Sequence, residues 1–418
     1  MRDQVRPERG HGWYASWPLV VLVLVLTLVG GCGSFSSGDR EGQEASTSVR
    51  PASLRTHLQI QGTQFTTVRG EPFPWRGITA FRLLEYVAQK KDADVRTYLA
   101  WARSQDLTVV RVLAMGSGFM QLSPEQGRAA VGRLLDLAQE HGLHVEIVAL
   151  ANTRELPVNL EAQLTAIGDV AATHPNALVE IANEPIHPTQ APAVGQADVL
   201  AALAAKVPDD VPVAWGSIET DPRFSGGDYV TWHVPRETRP DGWGHVLAVA
   251  DGAAFVRTFG KPVISDEPIG AGPRDEPGRR DNRPARFRAA ALLTRLTGMG
   301  ATFHYEGGLQ AKIPEGAELD CLAAWREAWT WLPADVESQG TFATAATAGA
   351  VVQDFDRKAV YAVFERTTET RGWILAIGAG EPAVRLAPGW AVSGTQAFEG
   401  LRVISVARSR PAPSRTSP

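Results

Sequence analysis

Short apolar runs alternate with amphipathic stretches through the middle of this 418-residue chain, and this alternation restricts the fold more than any other feature. The eight apolar runs are Pro74–Phe81, Leu107–Leu113, His144–Ala149, Ala177–Ala182, Val211–Trp215, Tyr229–Val234, Pro262–Ser265 and Ala301–Tyr305. Continuous apolar strands that alternate with helices predict a parallel sheet covered by helices. Eight such units favour a closed (β/α)8 barrel, the TIM-barrel fold, over an open doubly wound sheet.

Helical periodicity follows most of these runs. The predicted helices are Ala93–Ser104, Pro124–His141, Leu160–His174, Ala197–Val207, Gly244–Phe259, Ala285–Leu296 and Cys321–Trp331. Between the fifth and sixth runs we expect only a Gly-rich loop, at residues 221–228. Upstream, period-two alternation over residues 57–73 predicts a hairpin with a turn at Arg69-Gly70. We therefore place the barrel domain at residues 55–335.

The pattern changes after Pro333, where short strands are separated by Gly, Pro and charged turns. The predicted strands are Phe342–Thr347, Ala350–Asp354, Val360–Arg366, Gly372–Gly378, Ala383–Leu386 and Leu401–Val406. They predict a small C-terminal antiparallel β module at residues 340–408, which either buttresses the barrel or binds carbohydrate. Residues 409–418 are rich in Pro, Ser and Arg and are expected to form a disordered tail.

The N-terminus has the features of an export signal. Three arginines precede the aliphatic stretch Leu19–Val29, whose eleven residues are too short to cross a hydrocarbon core of about 30 Å. The following Val29-Gly30-Gly31-Cys32 resembles a bacterial lipobox, which implies cleavage before Cys32 and lipidation of its sulfur. The alternative is an ordinary secretory signal with an incidental cysteine.

This interpretation divides the N-terminal region into a lipoprotein signal peptide, residues 1–31, and a lipidated cysteine with a flexible tether, residues 32–54. It predicts an extracytoplasmic protein that is lipid-anchored to a bacterial membrane, either facing the periplasm or on the cell surface. Such a protein has the membrane as a partner, and we expect a monomer.

Composition excludes several function classes. Forty-one Lys and Arg residues against 46 Asp and Glu give a net charge of −5, which argues against nucleic acid as the main partner. Two cysteines cannot form a disulfide framework or a thiolate zinc cage. No dinucleotide-binding fingerprint opens the first unit, and no HExxH or G-x-S-x-G motif occurs. We therefore predict neither a metal nor an organic cofactor.

Two glutamates follow apolar runs on opposite sides of the predicted barrel. Glu184 comes after the fourth run and Glu267 after the seventh. Catalytic groups of such barrels lie where the strands end, so the two carboxylates can face each other across the barrel axis. Facing carboxylates are what retaining glycoside hydrolysis requires, because one donates a proton and the other attacks the anomeric carbon.

The same segments resemble the clan A glycoside hydrolases, whose family-five-like cellulases and mannanases are (β/α)8 barrels. Ala182-Asn183-Glu184-Pro185 looks like their acid/base motif, and Pro262-Val263-Ile264-Ser265-Asp266-Glu267 is similar to their nucleophile segment. Trp75-Arg76-Gly77-Ile78 resembles their first strand and Val110-Arg111-Val112 their second. The resemblance covers residues 55–335.

The resemblance implies a role for each matching residue. Glu184 would be the general acid/base and Glu267 the nucleophile of a double displacement. Asn183 would bind the sugar 2-hydroxyl, and Arg111 would keep Glu267 ionised. His233 resembles the strand-six histidine of this clan.

Several positions depart from the family pattern. Pro235 stands where the family has a tyrosine, and Asn152 where it has a histidine. Asp266 replaces a small or neutral residue, so we expect it either to support the nucleophile or to contact substrate. Strand eight carries a polar triplet in place of a tryptophan platform, and we expect one of its members to contact substrate: His304, Tyr305 and Glu306.

Trp215, at the end of the fifth run, is a candidate platform for stacking a sugar ring. Together these observations predict a retaining glycosidase that hydrolyses O-glycosidic bonds of a polysaccharide or oligosaccharide. One alternative is a non-catalytic carbohydrate-binding surface lipoprotein on a glycosidase scaffold. The other is a transglycosylase that uses the same two glutamates.

Overall fold

A computed structural model describes residues 57–114, 124–156, 158–219, 221–236, 241–333, 336–340, 350–353, 357–365, 370–378, 382–386 and 388–408. The predicted signal peptide, Cys32, the tether, the strand Phe342–Thr347 and the tail at residues 409–418 lie outside these ranges. Across the ranges that are described, no helix is long and apolar enough to cross a membrane.

A short hairpin precedes the barrel. Strands β1 (Gln59–Gln61) and β2 (Gln64–Thr66) pair antiparallel, with a turn at Gly62, where φ is +60°. The predicted hairpin is therefore present, but its turn is at Gly62. Arg69-Gly70 belongs to the next turn, which is closed by hydrogen bonds between Thr67 and both Gly70 and Glu71.

Eight parallel strands form a near-closed barrel, as the alternation predicts. They are β3 (Arg76–Thr79), β4 (Val109–Leu113), β5 (His144–Leu150), β6 (Ala177–Ala182), β7 (Val213–Gly216), β8 (Val230–Trp232), β9 (Val263–Ser265) and β12 (Gly300–Phe303). Their order is β7-β6-β5-β4-β3-β12-β9-β8. An isolated bridge between Ser217 and Thr231 joins the two ends of this sheet.

Helices cover the barrel from outside. They are α1 (Leu83–Ala88), α2 (Asp92–Ser104), α3 (Pro124–Glu140), α4 (Leu160–Ala171), α5 (Ala197–Ala204), α6 (Gly244–Ala248), α7 (Gly252–Phe259), α8 (Pro284–Thr297) and α9 (Ala317–Trp329). The six-residue α1 was not predicted. The predicted helix Gly244–Phe259 is interrupted by a 3-10 turn at Val249–Asp251. Gly252, at the start of α7, lies against the end of the Met299 side chain, which would have to move to admit a Cβ.

Two connections at the carboxyl ends of strands position the rim of the barrel. Between β7 and β8 the described chain forms a loop with only a 3-10 turn, Pro222–Phe224, as predicted. After β9, the chain adds a small parallel ribbon of β10 (Gly270–Ala271) and β11 (Arg280–Asp281), which was not predicted. Two-residue strands carry too little periodicity to be read from the sequence.

The C-terminal region forms a small antiparallel β structure. Its five-stranded sheet has the order β13 (Val336–Gly340), β15 (Arg357–Glu365), β16 (Arg371–Gly378), β19 (Leu401–Arg408), β18 (Trp390–Phe398), and β14 (Ala350–Gln353) pairs with β17 (Ala383–Leu386). Strands β13 and β18 were not predicted. Most of β18 is exposed, so it lacks the apolar alternation of a half-buried strand. Phe398 stacks on Trp331, with ring centroids 5.6 Å apart.

Candidate active site

One buried arginine organises the carboxyl end of the barrel interior. The side chain of Arg111, on β4, is 0% exposed and lies among four carboxylates. Its guanidinium nitrogens are 2.8 Å from Glu180, 3.0 Å from Glu267, 3.1 Å from Asp266 and 3.6 Å from Glu146. Burial alone would lower the pKa of Arg111, but these negative charges raise it well above its ordinary value. Arg111 is therefore permanently charged.

Two of these carboxylates, Glu146 and Glu180, were not predicted. Glu180 also accepts a hydrogen bond from the Thr231 hydroxyl at 3.1 Å, and Glu146 accepts one from the Tyr229 hydroxyl at 3.1 Å. Burial raises the pKa of Glu180 to about 7 and that of Glu146 well above its ordinary value. The available signal was an acidic residue in the middle of each apolar run, on β5 and β6.

The two predicted catalytic glutamates meet at the mouth. One carboxylate oxygen of Glu184 lies within 4.8 Å of one of Glu267. The His233 ring stands between them, with Nδ1 3.2 Å from Glu184 and Nε2 3.7 Å from Glu267. The barrel thus brings together residues from β6, β8 and β9 as the strand count predicts.

Glu267 is buried and held in its ionised form. Burial opposes ionisation, but the charge on His233, followed by the effects of His304, Arg236 and Arg111, holds its pKa far below the usual range. Arg111 donates to Oε2 at 3.0 Å and Arg236 to Oε1 at 2.8 Å. A carboxylate in this environment is available for nucleophilic attack at any ordinary pH.

Glu184 occupies a strained backbone position. Its φ is +44°, a left-handed conformation that is rare for residues other than glycine, and it directly precedes Pro185. Burial raises its pKa, but the hydrogen bond from His233 and the charge on that ring outweigh burial and lower it. Glu184 is therefore ionised when no substrate is bound.

His233 is held from several sides. Its backbone N–H donates to the Ser217 hydroxyl at 3.0 Å, and its Nε2 lies 3.6 Å from Asp266. Burial would lower the pKa of His233, but the charges on Asp266 and Glu267 raise it well above the ordinary value. The ring is therefore a cation that bridges the carboxylates.

Asn183 and Asp266 support this arrangement in different ways. The Asn183 Oδ1 accepts from Arg111 at 2.8 Å, which fixes the orientation of its amide group. Asp266 is 0% exposed and contacts Arg111 and His233, so of its two predicted roles the structure favours support of the nucleophile over contact with substrate.

The polar triplet after β12 is divided among three environments. His304 accepts or donates a hydrogen bond with the Thr79 hydroxyl at 2.9 Å and is close enough to Glu267 to affect its pKa. Burial lowers the pKa of His304 to about 4, so this ring is neutral. Tyr305 is fully buried and its hydroxyl lies 2.9 Å from that of Tyr98, which places it in the core.

Glu306 contacts Arg280 of β11 at 2.9 Å on the rim, and no described contact joins it to Glu184 or Glu267. Strand alternation would place His304 and Glu306 on one face if both belonged to β12. Because β12 ends at Phe303, alternation does not extend to Glu306.

Trp215 does not lie in the site. Its neighbour on β7, Ala214, belongs to the apolar cluster inside the barrel, so Trp215 points to the outside. Its ring packs against Gly226, where an added Cβ would lie 2.1 Å from the ring. This position does not favour its predicted role as a sugar platform.

Two further residues near the site were missed by sequence reasoning. Arg236, which contacts Glu267, follows Pro235 in the loop after β8. Glu219 is half-buried after β7 with φ of +37°, and burial together with the nearby charge of Glu184 raises its pKa. Neither lies in an apolar run, so no periodicity pointed to them.

Glu184, His233 and Glu267 also have ligand atoms at metal-binding spacing. The positive charges of Arg111 and Arg236 already compensate Glu267, and the neighbouring carboxylates raise the pKa of His233 well above its ordinary value.

No protein-family model and no curated protein matches the chain. Solved structures do. One described only as a glycoside hydrolase has a TM-score of 0.56 and 14% identity, and the match covers 85% of this chain and 97% of that one. A family 5 glycoside hydrolase from Bacteroides vulgatus has a TM-score of 0.56 and 14% identity, and the match covers 84% of this chain and 93% of that one.

A β-glucanase from Saccharophagus degradans, solved with cellotetraose, has a TM-score of 0.50 and 11% identity. The match covers 70% of this chain and 97% of that one. The chain shares their fold. At these identities the likeness extends to the architecture, and the chemistry has to be argued from the residues of this site.

Proposed function

We propose that this protein is a retaining glycoside hydrolase that acts on O-glycosidic bonds of a polysaccharide or oligosaccharide. The observation that carries the proposal is the pair of carboxylates at the mouth, with oxygens of Glu184 and Glu267 within 4.8 Å of each other. Retaining enzymes have carboxyl groups about 5–5.5 Å apart, whereas inverting enzymes need about 6.5–9.5 Å for an intervening water. The short separation therefore favours retention.

The reaction would proceed by double displacement. The Glu267 carboxylate attacks the anomeric carbon, the glycosidic bond breaks, and the leaving oxygen takes a proton from Glu184. Glu184 then removes a proton from water, which attacks the anomeric carbon and releases Glu267 as a carboxylate. Asn183, oriented by Arg111, binds the sugar 2-hydroxyl during both steps.

The proton for the first step has an identifiable source. Glu184 is ionised in the substrate-free site, but the protonated Nδ1 of His233 lies 3.2 Å from its carboxylate. His233 can therefore donate a proton to Glu184, which transfers it to the leaving oxygen. On this scheme the alkaline limb of the pH–rate profile follows the His233–Glu184 pair, above the usual glutamic acid range.

We further propose that the protein works outside the cytoplasm, anchored through a lipid on Cys32. This proposal is supported by the lipobox-like Val29-Gly30-Gly31-Cys32 after an aliphatic stretch. It would place the barrel where polymeric carbohydrate is available.

The test is a panel of β-glucans, mannans and xylans incubated with purified protein, with new reducing ends as the readout. Wild-type cleavage should fall by several orders of magnitude in both Glu184→Ala and Glu267→Ala. As a matched control, Glu161→Ala removes a carboxylate from an exposed ion pair on α4 and should leave the rate unchanged. NMR of the first product should show a retained anomeric configuration.

Other outcomes would decide between the alternatives. Binding without cleavage would favour the non-catalytic carbohydrate-binding protein, and longer products would indicate transglycosylation. Cleavage that survives both substitutions would place the active site elsewhere.

A further inference from the structure

The carboxylate of Glu267 is held by two guanidinium groups, one on each oxygen. Arg111 donates to Oε2 at 3.0 Å from below, inside the barrel, and Arg236 donates to Oε1 at 2.8 Å from the loop after β8. The same Arg236 nitrogen lies 3.5 Å from the backbone carbonyl oxygen of Glu267. Arg236 thus contacts both the side chain and the backbone of this residue.

The two arginines differ in how their charge is shared. Arg111 faces Glu146, Glu180 and Asp266 as well as Glu267, so its single charge is divided among four buried carboxylates. For Arg236, Glu267 is the one carboxylate within ion-pair distance among the residues that the structure describes. The charge of Arg236 is therefore directed at Glu267.

Exposure separates the two arginines as well. The Arg111 side chain is 0% exposed, while that of Arg236 is 35% exposed at the mouth. Arg111 cannot be removed without disturbing the barrel interior. Arg236 can be replaced at the edge of the site, and its effect on Glu267 can be measured in a folded protein.

We infer that Arg236 is a positioning residue that fixes the orientation of the Glu267 carboxylate toward Glu184 and stabilises its negative charge. This inference rests on the proposed function, in which Glu267 is the nucleophile. A charge-assisted hydrogen bond holds one oxygen in place while Arg111 holds the other, so the carboxylate cannot rotate. The loop position after Pro235 supplies this donor.

The stabilisation acts oppositely in the two steps of the reaction. In the first step Glu267 loses its charge as the bond to the anomeric carbon forms, so a cation on Oε1 slows attack. In the second step the same bond breaks and the carboxylate regains its charge, so the cation favours its departure. Loss of Arg236 should therefore slow release of the sugar more than its attachment.

The test compares Arg236→Met and Arg236→Lys with wild type in the full-length protein. In wild type the acid limb of kcat/KM from Glu267 lies below the ordinary pH range, and in Arg236→Met it should move up by about 1–3 units, because a nearby opposite charge lowers a carboxyl pKa by that amount. The glycosyl-enzyme should also accumulate, as seen by mass spectrometry of quenched reactions. Arg236→Lys should restore most of the acid limb.

The matched control is Arg223→Met. Arg223 is a mouth-side arginine paired with one carboxylate, Asp221 at 2.6 Å, and that carboxylate has no part in the proposed reaction. Its loss should leave the acid limb in place. An unchanged limb in Arg236→Met would overturn the inference while leaving the proposed function intact.

A readout that does not need turnover separates the two proposals. In protein labelled with 13C at the glutamate carboxyl carbon, the Glu267 resonance should titrate at higher pH in Arg236→Met than in wild type. If wild type cleaves no carbohydrate, the proposed function fails, and this titration still decides whether Arg236 stabilises the Glu267 charge. Identical titrations would overturn the role of Arg236.

Discussion

The two ends of the barrel interior differ in the side chains that fill them: one is apolar and the other is charged. At the amino-terminal end of the strands lies an apolar layer, defined by Leu58, Phe65, Trp75, Val109, Leu178, Ala214, Tyr229 and Ile264. At the carboxyl end lies an ionic layer, defined by Arg111, Glu146, Glu180, Asp266, Glu267 and His233. Strand alternation connects them, because Arg111 and Glu180 each lie two residues after a member of the apolar layer.

The two layers differ in how they contribute to the stability of the fold. Burial of the apolar layer stabilises the folded state, and this stabilisation does not depend on pH. The ionic layer removes several charges from water, and such burial is compensated only while every partner is present. Ionisable groups concentrated at one end are typical of a functional site.

The largest effect should come from removing the central cation of the ionic layer. Arg111→Met removes the cation that four buried acidic side chains share, while His233 and Arg236 still face two of them, and should cost about 3–5 kcal/mol of unfolding free energy at neutral pH. Arg111 helps to hold the pKa of Asp266 and Glu267 low, so its stabilising effect is fully present above their pKa in the unfolded chain, about 4, and is lost as pH falls from there through their lowered pKa in the folded protein. Urea unfolding at pH 7 and at about pH 2.5 measures the difference.

The control for this prediction is an exposed ion pair. Arg96→Met breaks the contact with Glu140 on the surface, where both side chains are more than 40% exposed, and should cost less than about 1 kcal/mol. A loss at Arg111 that is equally small, or independent of pH, would show that the ionic layer does not depend on its arginine.

The apolar layer is tested by Trp75→Phe. The Trp75 indole N–H donates to the Thr302 hydroxyl at 3.2 Å, and its ring contacts Phe65 with centroids 5.2 Å apart. Losing this buried hydrogen bond and part of the ring should cost about 1–3 kcal/mol. The loss should be the same at pH 7 and at about pH 2.5, with kcat unchanged, as measured by urea unfolding and steady-state kinetics. A pH-dependent loss would contradict the division into two layers.

The sequence predicts the barrel because its signal is local. Apolar runs and helical periods recur along the chain, and the strand count alone places Glu184 and Glu267 at the same end on opposite sides. Both glutamates lie just beyond an apolar run, where chain order is enough to locate them.

The ionic layer could not be predicted in the same way. Glu146 and Glu180 lie inside apolar runs, and their pairing with Arg111 is seen only when β4, β5 and β6 are brought side by side. The direction of the Trp215 side chain depends on the register of β7, which places Ala214 inside the barrel. Arg236 and Glu219 lie in loops whose course is set by tertiary contacts.

The smallest effect should come from the rim. Glu306→Gln removes a charge from the contact with Arg280, in which the two side chains are 36% and 20% exposed. The change should alter kcat/KM by less than about twofold, since partly exposed ion pairs contribute about 1 kcal/mol or less and Glu306 has no described contact with Glu184 or Glu267. Steady-state kinetics beside Glu184→Gln checks this on one substrate. A tenfold loss would mean that Glu306 contacts the sugar and that the ionic layer extends to the rim.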